Sequence, residues 1–152
     1  MKTFLKISLL VAPLLLTGCR TIRRSTPGTY EEHEYSEIAH LKLSYEDIFN
    51  VNEDSYFVYF YQETCADCGL VKNAVIDFAL NCSPKIYFVE VNSSMLHTYS
   101  YQEIDKTIGT DNYLNVFVGV TPQLATIYQH KVSDNCVGAI QVEYTLSTYR
   151  NI

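Results

Sequence analysis

Two cysteines separated by two residues, Cys65 and Cys68, are the residues of this sequence whose type and spacing best suit chemistry. A cysteine thiolate attacks a disulfide to form a mixed disulfide, and a second cysteine nearby can attack that bond and release the partner. On a helix, residues three positions apart lie on nearly the same face, so Cys68 could reach Cys65. The pair therefore predicts thiol–disulfide exchange if the fold places it correctly.

The elements around the pair predict such a placement. Two apolar runs of strand length, residues 56–61 and 86–91, flank residues 66–81, where apolar side chains recur with the spacing of an amphipathic helix that ends before Pro84. Strand, helix and strand with short joints predict a βαβ unit with parallel strands. Cys65 then lies at the helix N-terminus, where free N–H groups and the helix dipole favour a thiolate.

The rest of the chain supplies weaker signals for further elements. The expected elements are a helix over residues 99–108 stopped by Gly109, a strand over 123–129, a hairpin turn over 131–135, a strand over 137–141 and a closing helix over 142–149. The order from residue 55 is therefore β-α-β-(α)-β-β-α.

A proline motif completes a resemblance to a known family. Val120-Thr121-Pro122 precedes the strand expected at residue 123, and together with the C-x-x-C pair it resembles the thioredoxin superfamily. That family has a cis-proline at the start of the corresponding strand, and Pro122 matches it. Val137-Gly138-Ala139 resembles the segment that completes the substrate groove. The resemblance covers about residues 44–152, and bacterial membrane-tethered thioredoxin-like proteins, including the bacteriocin-transport accessory type, are the nearest look-alikes.

The resemblance implies an α/β thioredoxin-like fold, with a central mixed β-sheet flanked by helices. It implies that Cys65 is the attacking and Cys68 the resolving cysteine, and that no dissociable cofactor is needed. It also implies that Thr121, Pro122 and Gly138 bind substrate, and that the Thr121–Pro122 peptide bond is cis.

Several residues depart from the family pattern. Thr64 replaces the tryptophan usual before the first cysteine, and Ala66-Asp67 replaces the Gly-Pro pair of thioredoxin itself. Tyr59 stands about where thioredoxin keeps a buried aspartate that helps to move protons. The charge of Asp67 opposes a thiolate beside it, so the redox poise stays open.

Three other interpretations of Cys65 and Cys68 remain open. The first is a zinc half-site. Zinc takes four ligands, but the sequence has no second C-x-x-C and its four histidines are scattered, so we expect no metal. An inert structural disulfide is another. The third is a redox relic on a binding domain, which gives an alternative function: a non-enzymatic accessory or binding lipoprotein that engages a peptide or a transporter.

The N-terminus has the features of an export signal. Lys2 and Lys6 precede an apolar run over residues 7–16, which is too short to span a bilayer and suits a signal peptide. Leu16-Thr17-Gly18-Cys19 resembles the lipobox of bacterial lipoproteins, a family in which the chain is cut before the cysteine and the sulfur is acylated. An ordinary signal peptide with an incidental cysteine is the alternative.

These features predict three regions: a lipoprotein signal peptide over residues 1–18, a lipidated N-terminus and tether over 19–43, and a thioredoxin-like domain over 44–152. The protein is then extracytoplasmic and lipid-anchored to the bacterial cell membrane, and it meets exported protein thiols or disulfides and an unknown redox partner. Its net charge of −6 becomes −8 without residues 1–18, which hold two lysines and no acidic residue. Such a charge gives no general attraction for nucleic acid.

Two further cysteines, Cys82 and Cys136, are not expected to form a disulfide with each other. Cys82 ends the helix that begins after Cys65, about 20 Å from its start. Cys136 precedes Gly138 and should lie at the active-site end of the sheet. A disulfide needs Cα atoms within about 7 Å.

Overall fold

Four strands and three α-helices make up most of the regular structure in the part of the chain that the structure describes. The computed structural model describes residues 30–97 and 100–150 of the chain. The strands are β1 (Ser55–Tyr61), β2 (Lys85–Glu90), β3 (Gln123–Tyr128) and β4 (Lys131–Val137), and the helices are α1 (Ala66–Asn81), α2 (Tyr101–Asp105) and α3 (Ala139–Arg150). Short 3₁₀ turns lie at Ala39–Leu41, Tyr45–Asp47 and Tyr113–Asn115.

The strands form one mixed sheet in the order β2-β1-β3-β4. Strand β1 is parallel to β2 and antiparallel to β3, and β4 is antiparallel to β3. The βαβ unit is therefore confirmed, with α1 spanning the interval that the apolar spacing indicates. The protein has the expected thioredoxin-like α/β fold, in which helices flank a four-stranded mixed sheet.

Strand β1 lies at the centre of the core because both of its faces are buried. Its residues Phe57, Tyr59 and Tyr61 pack on one face with apolar side chains of α1 and α3. Tyr56 and the other alternate residues pack on the opposite face with β3 and the loops after β2. This two-sided burial is the reason why β1 is a continuous aromatic and β-branched run rather than an alternating one.

Residues 30–43, which we call the N-terminal strap, pack against the domain. Ile38 is fully buried in the core with the helices. The N–H of Leu43 donates to the carbonyl of Phe88 at 2.8 Å, at the open edge of β2. The folded domain therefore reaches at least Tyr30 instead of starting at residue 44, because apolar side chains of the strap are needed to cover α1 and β2.

The hairpin between β3 and β4 differs from the prediction. The turn is at Gln129 and His130, whose φ angles are 50° and 58°, and the interval 131–135 belongs to β4 rather than to the turn. Because β4 is an edge strand with exposed residues, its polar sequence resembles that of a loop. Residues 139–141, expected in a strand, form the first turn of α3.

No helix in the described ranges 30–97 and 100–150 has both the length and the apolar composition needed to cross a bilayer.

Candidate active site

Cys65 occupies the N-cap position of α1, immediately after the loop that follows β1. Its backbone is extended, with φ −78° and ψ 123°, and its carbonyl accepts the first helical hydrogen bond from the N–H of Gly69 at 3.1 Å. Its Sγ accepts a hydrogen bond from the N–H of Cys68 at 3.3 Å. The sulfur of Cys65 therefore takes the place of the oxygen of an ordinary N-cap side chain.

The environment of Cys65 favours its thiolate. Partial burial on its own would raise the pKa of Cys65, but interactions with the side chains of Thr121 and Cys68 act in the other direction. The N–H groups of Asp67 and Cys68 at the helix N-terminus add to this effect, and the net result is a lowered pKa. The neighbouring carboxylate of Asp67 does not cancel it.

Cys68 is in the opposite situation, since it is only 1% exposed. Burial raises the pKa of Cys68 to about 11, and the nearby Cys65 contributes to the increase. Cys65 is half-buried, and its neighbours Thr64 and Ala66 are exposed. One sulfur is thus activated and accessible, and the other is protonated and enclosed.

Thr121 and Pro122 lie against Cys65 from the sheet side. The Cys65 thiol donates to the carbonyl oxygen of Thr121 at 3.3 Å, and the Thr121–Pro122 peptide bond is cis, as expected from the sequence. The hydroxyl of Thr121 donates to Oε1 of Gln62 at 3.2 Å, which ties the proline turn to the loop before Cys65. Two segments that are far apart in sequence are therefore connected around the sulfur.

Gly138 lies on the other side of the proline turn. Its N–H donates to the carbonyl of Pro122 at 2.8 Å, and its φ is +90°, in the region that favours glycine. A Cβ at this position would have no atom within 4 Å. The residue is thus constrained by its backbone conformation and leaves open space beside the turn.

The structure brings together the C-x-x-C pair and the three expected substrate-binding residues. Cys65 contacts Cys68 and Thr121 directly, and Gly138 reaches the site through Pro122. Cys19, the expected lipidation site, lies outside the described residues. The roles of the C-x-x-C pair in catalysis and of Thr121, Pro122 and Gly138 in substrate binding stay predictions.

Cys136 is a third thiol on the helix-covered face of the sheet. It is free, so Cys82 and Cys136 do not form a disulfide with each other, as expected. Its Sγ accepts a hydrogen bond from the hydroxyl of Thr145 at 3.5 Å, and burial raises the pKa of Cys136. These contacts favour a protonated and unreactive thiol.

Two residues of the site were missed by the sequence interpretation. Gln62 bonds to Thr121, and nothing in its sequence context signals this. Tyr35 stacks on Tyr61 with ring centroids 4.2 Å apart. The spacing of Tyr35, Ile38 and Leu41, three residues apart each time, is the signal that could have identified the strap as a packed segment.

The charged side chains near the pair are mostly paired with one another. Lys42 of the strap lies 3.8 Å from a carboxylate oxygen of Glu63 and 3.6 Å from one of Glu90. Its ammonium also lies 5.7 Å from the ring centroid of Tyr61.

Within residues 30–97 and 100–150, no three His, Cys, Asp or Glu side chains are grouped so that they could hold a metal ion.

Comparison with solved structures finds thioredoxins of similar fold. Thioredoxin f2 of Chlamydomonas reinhardtii is 16% identical with a TM-score of 0.45, and the match covers 74% of this chain and 97% of that one. Mitochondrial thioredoxin 3 of Saccharomyces cerevisiae, in its oxidised form, is 15% identical with a TM-score of 0.45 over 75% and 97% of the two chains. The thioredoxin of Malassezia sympodialis is 16% identical with a TM-score of 0.42 over 72% and 89%.

Neither protein-family models nor curated proteins match this sequence.

Proposed function

We propose that the protein is a thiol–disulfide oxidoreductase that acts on exported proteins through Cys65 and Cys68. The observation that carries the proposal is the hydrogen bond from the N–H of Cys68 to Sγ of Cys65 at a helix N-terminus, which favours the thiolate of an accessible sulfur. The buried Cys68 lies three residues further along the same helix, where it can complete the reaction.

The exchange needs only these two thiols and a disulfide partner. The thiolate of Cys65 attacks one sulfur of the partner disulfide, and the partner's other sulfur leaves as a thiolate that takes up a proton. Cys68 then loses its proton and attacks Sγ of Cys65, which releases the partner's second thiolate. The two thiols of the protein are oxidised to a disulfide, and the partner disulfide is reduced to two thiols. The reverse sequence oxidises a partner.

The proline turn is proposed to hold the partner's backbone. Thr121 and Pro122 lie beside the attacking sulfur, and the absence of a side chain at Gly138 leaves space for a chain to approach. An extended segment that pairs with this turn would bring its disulfide toward Cys65, as in recognition by strand addition. No dissociable cofactor takes part in this scheme.

The proposed location is the outer side of the bacterial cell membrane. The apolar run over residues 7–16 and the lipobox-like sequence ending in Cys19 support it. Acylation of Cys19 with two or more chains would anchor the protein stably, whereas a single chain binds only weakly. The partners would then be exported proteins, together with a redox partner on the same side of the membrane.

The test is insulin reduction and repair of scrambled ribonuclease by a fragment from residue 20 to the C-terminus. We expect the fragment to be active in at least one of these assays. Cys65→Ser should abolish this activity, and the matched control Cys136→Ser should retain it. Cys68→Ser should accumulate a mixed disulfide with substrate. Two results together would favour the alternative, a non-enzymatic accessory protein that binds a peptide or a transporter. The wild-type fragment would be folded yet inactive in both assays, and the Cys68→Ser variant would trap no partner.

A further inference from the structure

Three tyrosine hydroxyls beside the C-x-x-C pair are buried without a hydrogen-bond partner among the described residues: those of Tyr35, Tyr59 and Tyr61. The side chains of Tyr59 and Tyr61 are fully buried, and Tyr35 is 9% exposed. Buried hydroxyls are nearly always hydrogen-bonded, because burial without a partner is costly. Three such groups in one cluster, next to a redox-type cysteine pair, therefore call for a chemical explanation.

The three rings form a continuous stack. Tyr35 stacks on Tyr61 at a centroid distance of 4.2 Å, and Tyr61 stacks on Tyr59 at 5.9 Å with an angle of 9° between the planes. Phe88 of β2 packs edge-on against both Tyr59 and Tyr61. Because the rings are packed against one another and against Phe88 in the core, the hydroxyls have little freedom to turn toward solvent.

Tyr35, Tyr59 and Tyr61 pack in the same core cluster as Cys68, but different groups lie near their hydroxyls. Burial, then the nearby hydroxyl of Tyr35 and then the sulfur of Cys68 raise the pKa of Tyr59 far above its ordinary value. Burial also raises the pKa of Tyr61, but there the ammonium of Lys42 acts in the opposite direction. The sulfur of Cys68 also raises the pKa of Tyr35, after burial, so the hydroxyls of Tyr59 and Tyr35 both stay neutral near Cys68, whereas the hydroxyl of Tyr61 lies near Lys42.

Cys68 needs a hydrogen-bond donor at one step of the proposed reaction. The thiol of Cys68 is 1% exposed, so the thiolate it must become cannot be stabilised by bulk water. A neutral hydroxyl that has no other partner is free to donate to that thiolate as soon as the charge develops. Such a donor, already in position, stabilises the developing charge without reorganisation.

We propose that the hydroxyl of Tyr59 donates a hydrogen bond to the thiolate of Cys68 during resolution of the mixed disulfide, and that Tyr35 of the N-terminal strap donates in turn to the oxygen of Tyr59. Tyr59 and Tyr35 are then positioning residues that act through Cys68. The inference rests on the proposed function. It assigns the strap a part in the chemistry of the site, in addition to its packing.

The step balances without any further reactant. Cys68 gives up its proton, and its thiolate forms the bond to Sγ of Cys65 while the bond from Cys65 to the partner breaks. The partner leaves as a thiolate and is protonated. Tyr59 keeps its proton throughout and returns to an unpaired hydroxyl once the Cys65–Cys68 disulfide has formed, because the charge on Cys68 is gone.

The test measures the release of 2-nitro-5-thiobenzoate from a mixed disulfide formed on Cys65 with Ellman's reagent. Stopped-flow traces between pH 6 and 10, in the full chain with Cys136→Ser, give the rate of attack by Cys68. We expect Tyr59→Phe to slow release about tenfold at each pH below the pKa of Cys68. The reason is that a rise of about one unit in that pKa lowers the thiolate fraction of Cys68 tenfold. Tyr35→Phe should slow it less.

Tyr61→Phe is the matched control, because it removes a buried hydroxyl from the same stack on the Lys42 side. It should leave the rate and its pH profile unchanged, and none of the three variants should alter formation of the mixed disulfide by Cys65. The midpoint of thermal unfolding should not fall in Tyr59→Phe, since an unpaired buried hydroxyl is removed.

An unchanged release profile in Tyr59→Phe overturns the inference, as does an equal loss in Tyr61→Phe, which would indicate a packing effect. Failure of the proposed function looks different: the wild-type protein itself would then form a mixed disulfide on Cys65 but never release it through Cys68.

Discussion

The N–H of Gly138 donates a hydrogen bond to the carbonyl oxygen of Pro122 at 2.8 Å, which joins the end of β4 to the turn that faces Cys65. At this position the φ of Gly138 is +90°. We expect Gly138→Ala to destabilise the protein by about 1–2 kcal/mol, because an L-residue resists the left-handed conformation although there is space for its Cβ. Chemical denaturation measures the change.

Gly69→Ala is the matched control for that substitution. Gly69 lies inside α1 and its Cβ would also meet no atom within 4 Å, but its backbone is helical. We expect this variant to be more stable than wild type by about 0.5–1 kcal/mol. Equal effects of the two alanines would show that the backbone at Gly138 is not constrained.

The two cysteines of the pair should differ in their reactivity with pH. The pKa of Cys65 is lowered and that of Cys68 is raised to about 11. At pH 7 we expect iodoacetamide to modify Cys65 alone, and the midpoint of its rate profile should lie below the ordinary thiol value of about 8.5. Peptide mapping by mass spectrometry identifies the alkylated residue. Modification of Cys68 before Cys65 would contradict the assigned electrostatics.

Alkaline pH should unfold the protein through its buried tyrosines. Burial raises the pKa values of Tyr45 and Tyr56 to about 12. Because these pKa values are higher in the folded state, stability is fully present below pH 10 and is lost as pH rises from 10 toward 12. Tyrosinate absorbance near 295 nm should therefore increase in two phases, the second together with loss of the circular dichroism signal. A single phase at pH 10 in folded protein would contradict this prediction.

Arg150 should contribute strongly to the attachment of α3. Its guanidinium donates to a carboxylate oxygen of Asp77 and to the carbonyl of Ala74 at 2.7 Å, and it packs on the rings of Tyr30 and Phe78. We expect Arg150→Met to lower the free energy of unfolding by about 1–3 kcal/mol, since two charge-assisted bonds are lost.

The control for that variant is Lys106→Met, which removes the partner of an exposed Glu103. Exposed ion pairs contribute little, so we expect a change within about 0.5 kcal/mol. If both variants lowered the free energy of unfolding by similar amounts, Arg150 would contribute no more to stability than an exposed ion pair does.

Lipidation at Cys19 can be tested in the full-length chain. We expect Cys19→Ala to abolish the mass increase caused by acylation and to move the protein from the membrane fraction to the soluble fraction. The reason is that a cysteine sulfur is needed for the thioether to the diacylglycerol. A variant that stayed membrane-bound with unchanged mass after detergent extraction would contradict the assignment.

The sequence predicted the βαβ unit closely, with the C-x-x-C pair at the start of its helix. Buried parallel strands and an amphipathic helix have strong periodic signals, and α1 begins directly after Cys65 as expected. Pro122 was identified through a resemblance, and its cis bond and its place beside Cys65 agree with it. These features depend on local sequence, or on a motif whose spacing can be read directly.

The errors have two physical causes. A two-residue turn with positive φ is usually marked by asparagine or glycine, but here Gln129 and His130 adopt it, because the pairing of β3 with β4 imposes the conformation. The sequence predicts a tether where the strap lies, because its many acidic residues surround only a short apolar spacing. The spacing of Tyr35, Ile38 and Leu41 indicates a packed segment, but it does not indicate that Ile38 enters the core with the helices, which depends on tertiary packing.

The direction of the strap determines how the domain responds to a mechanical pull. From Tyr30, which packs on Arg150 near the end of α1, the strap runs back past Asn73, whose side chain accepts a hydrogen bond from the N–H of His33, to Tyr35 beside the cysteines. Tension applied upstream of Tyr30 loads these contacts one after another, as in peeling. We expect the attachment near Arg150 to break first, so that the contacts around Cys68 are the last to be loaded.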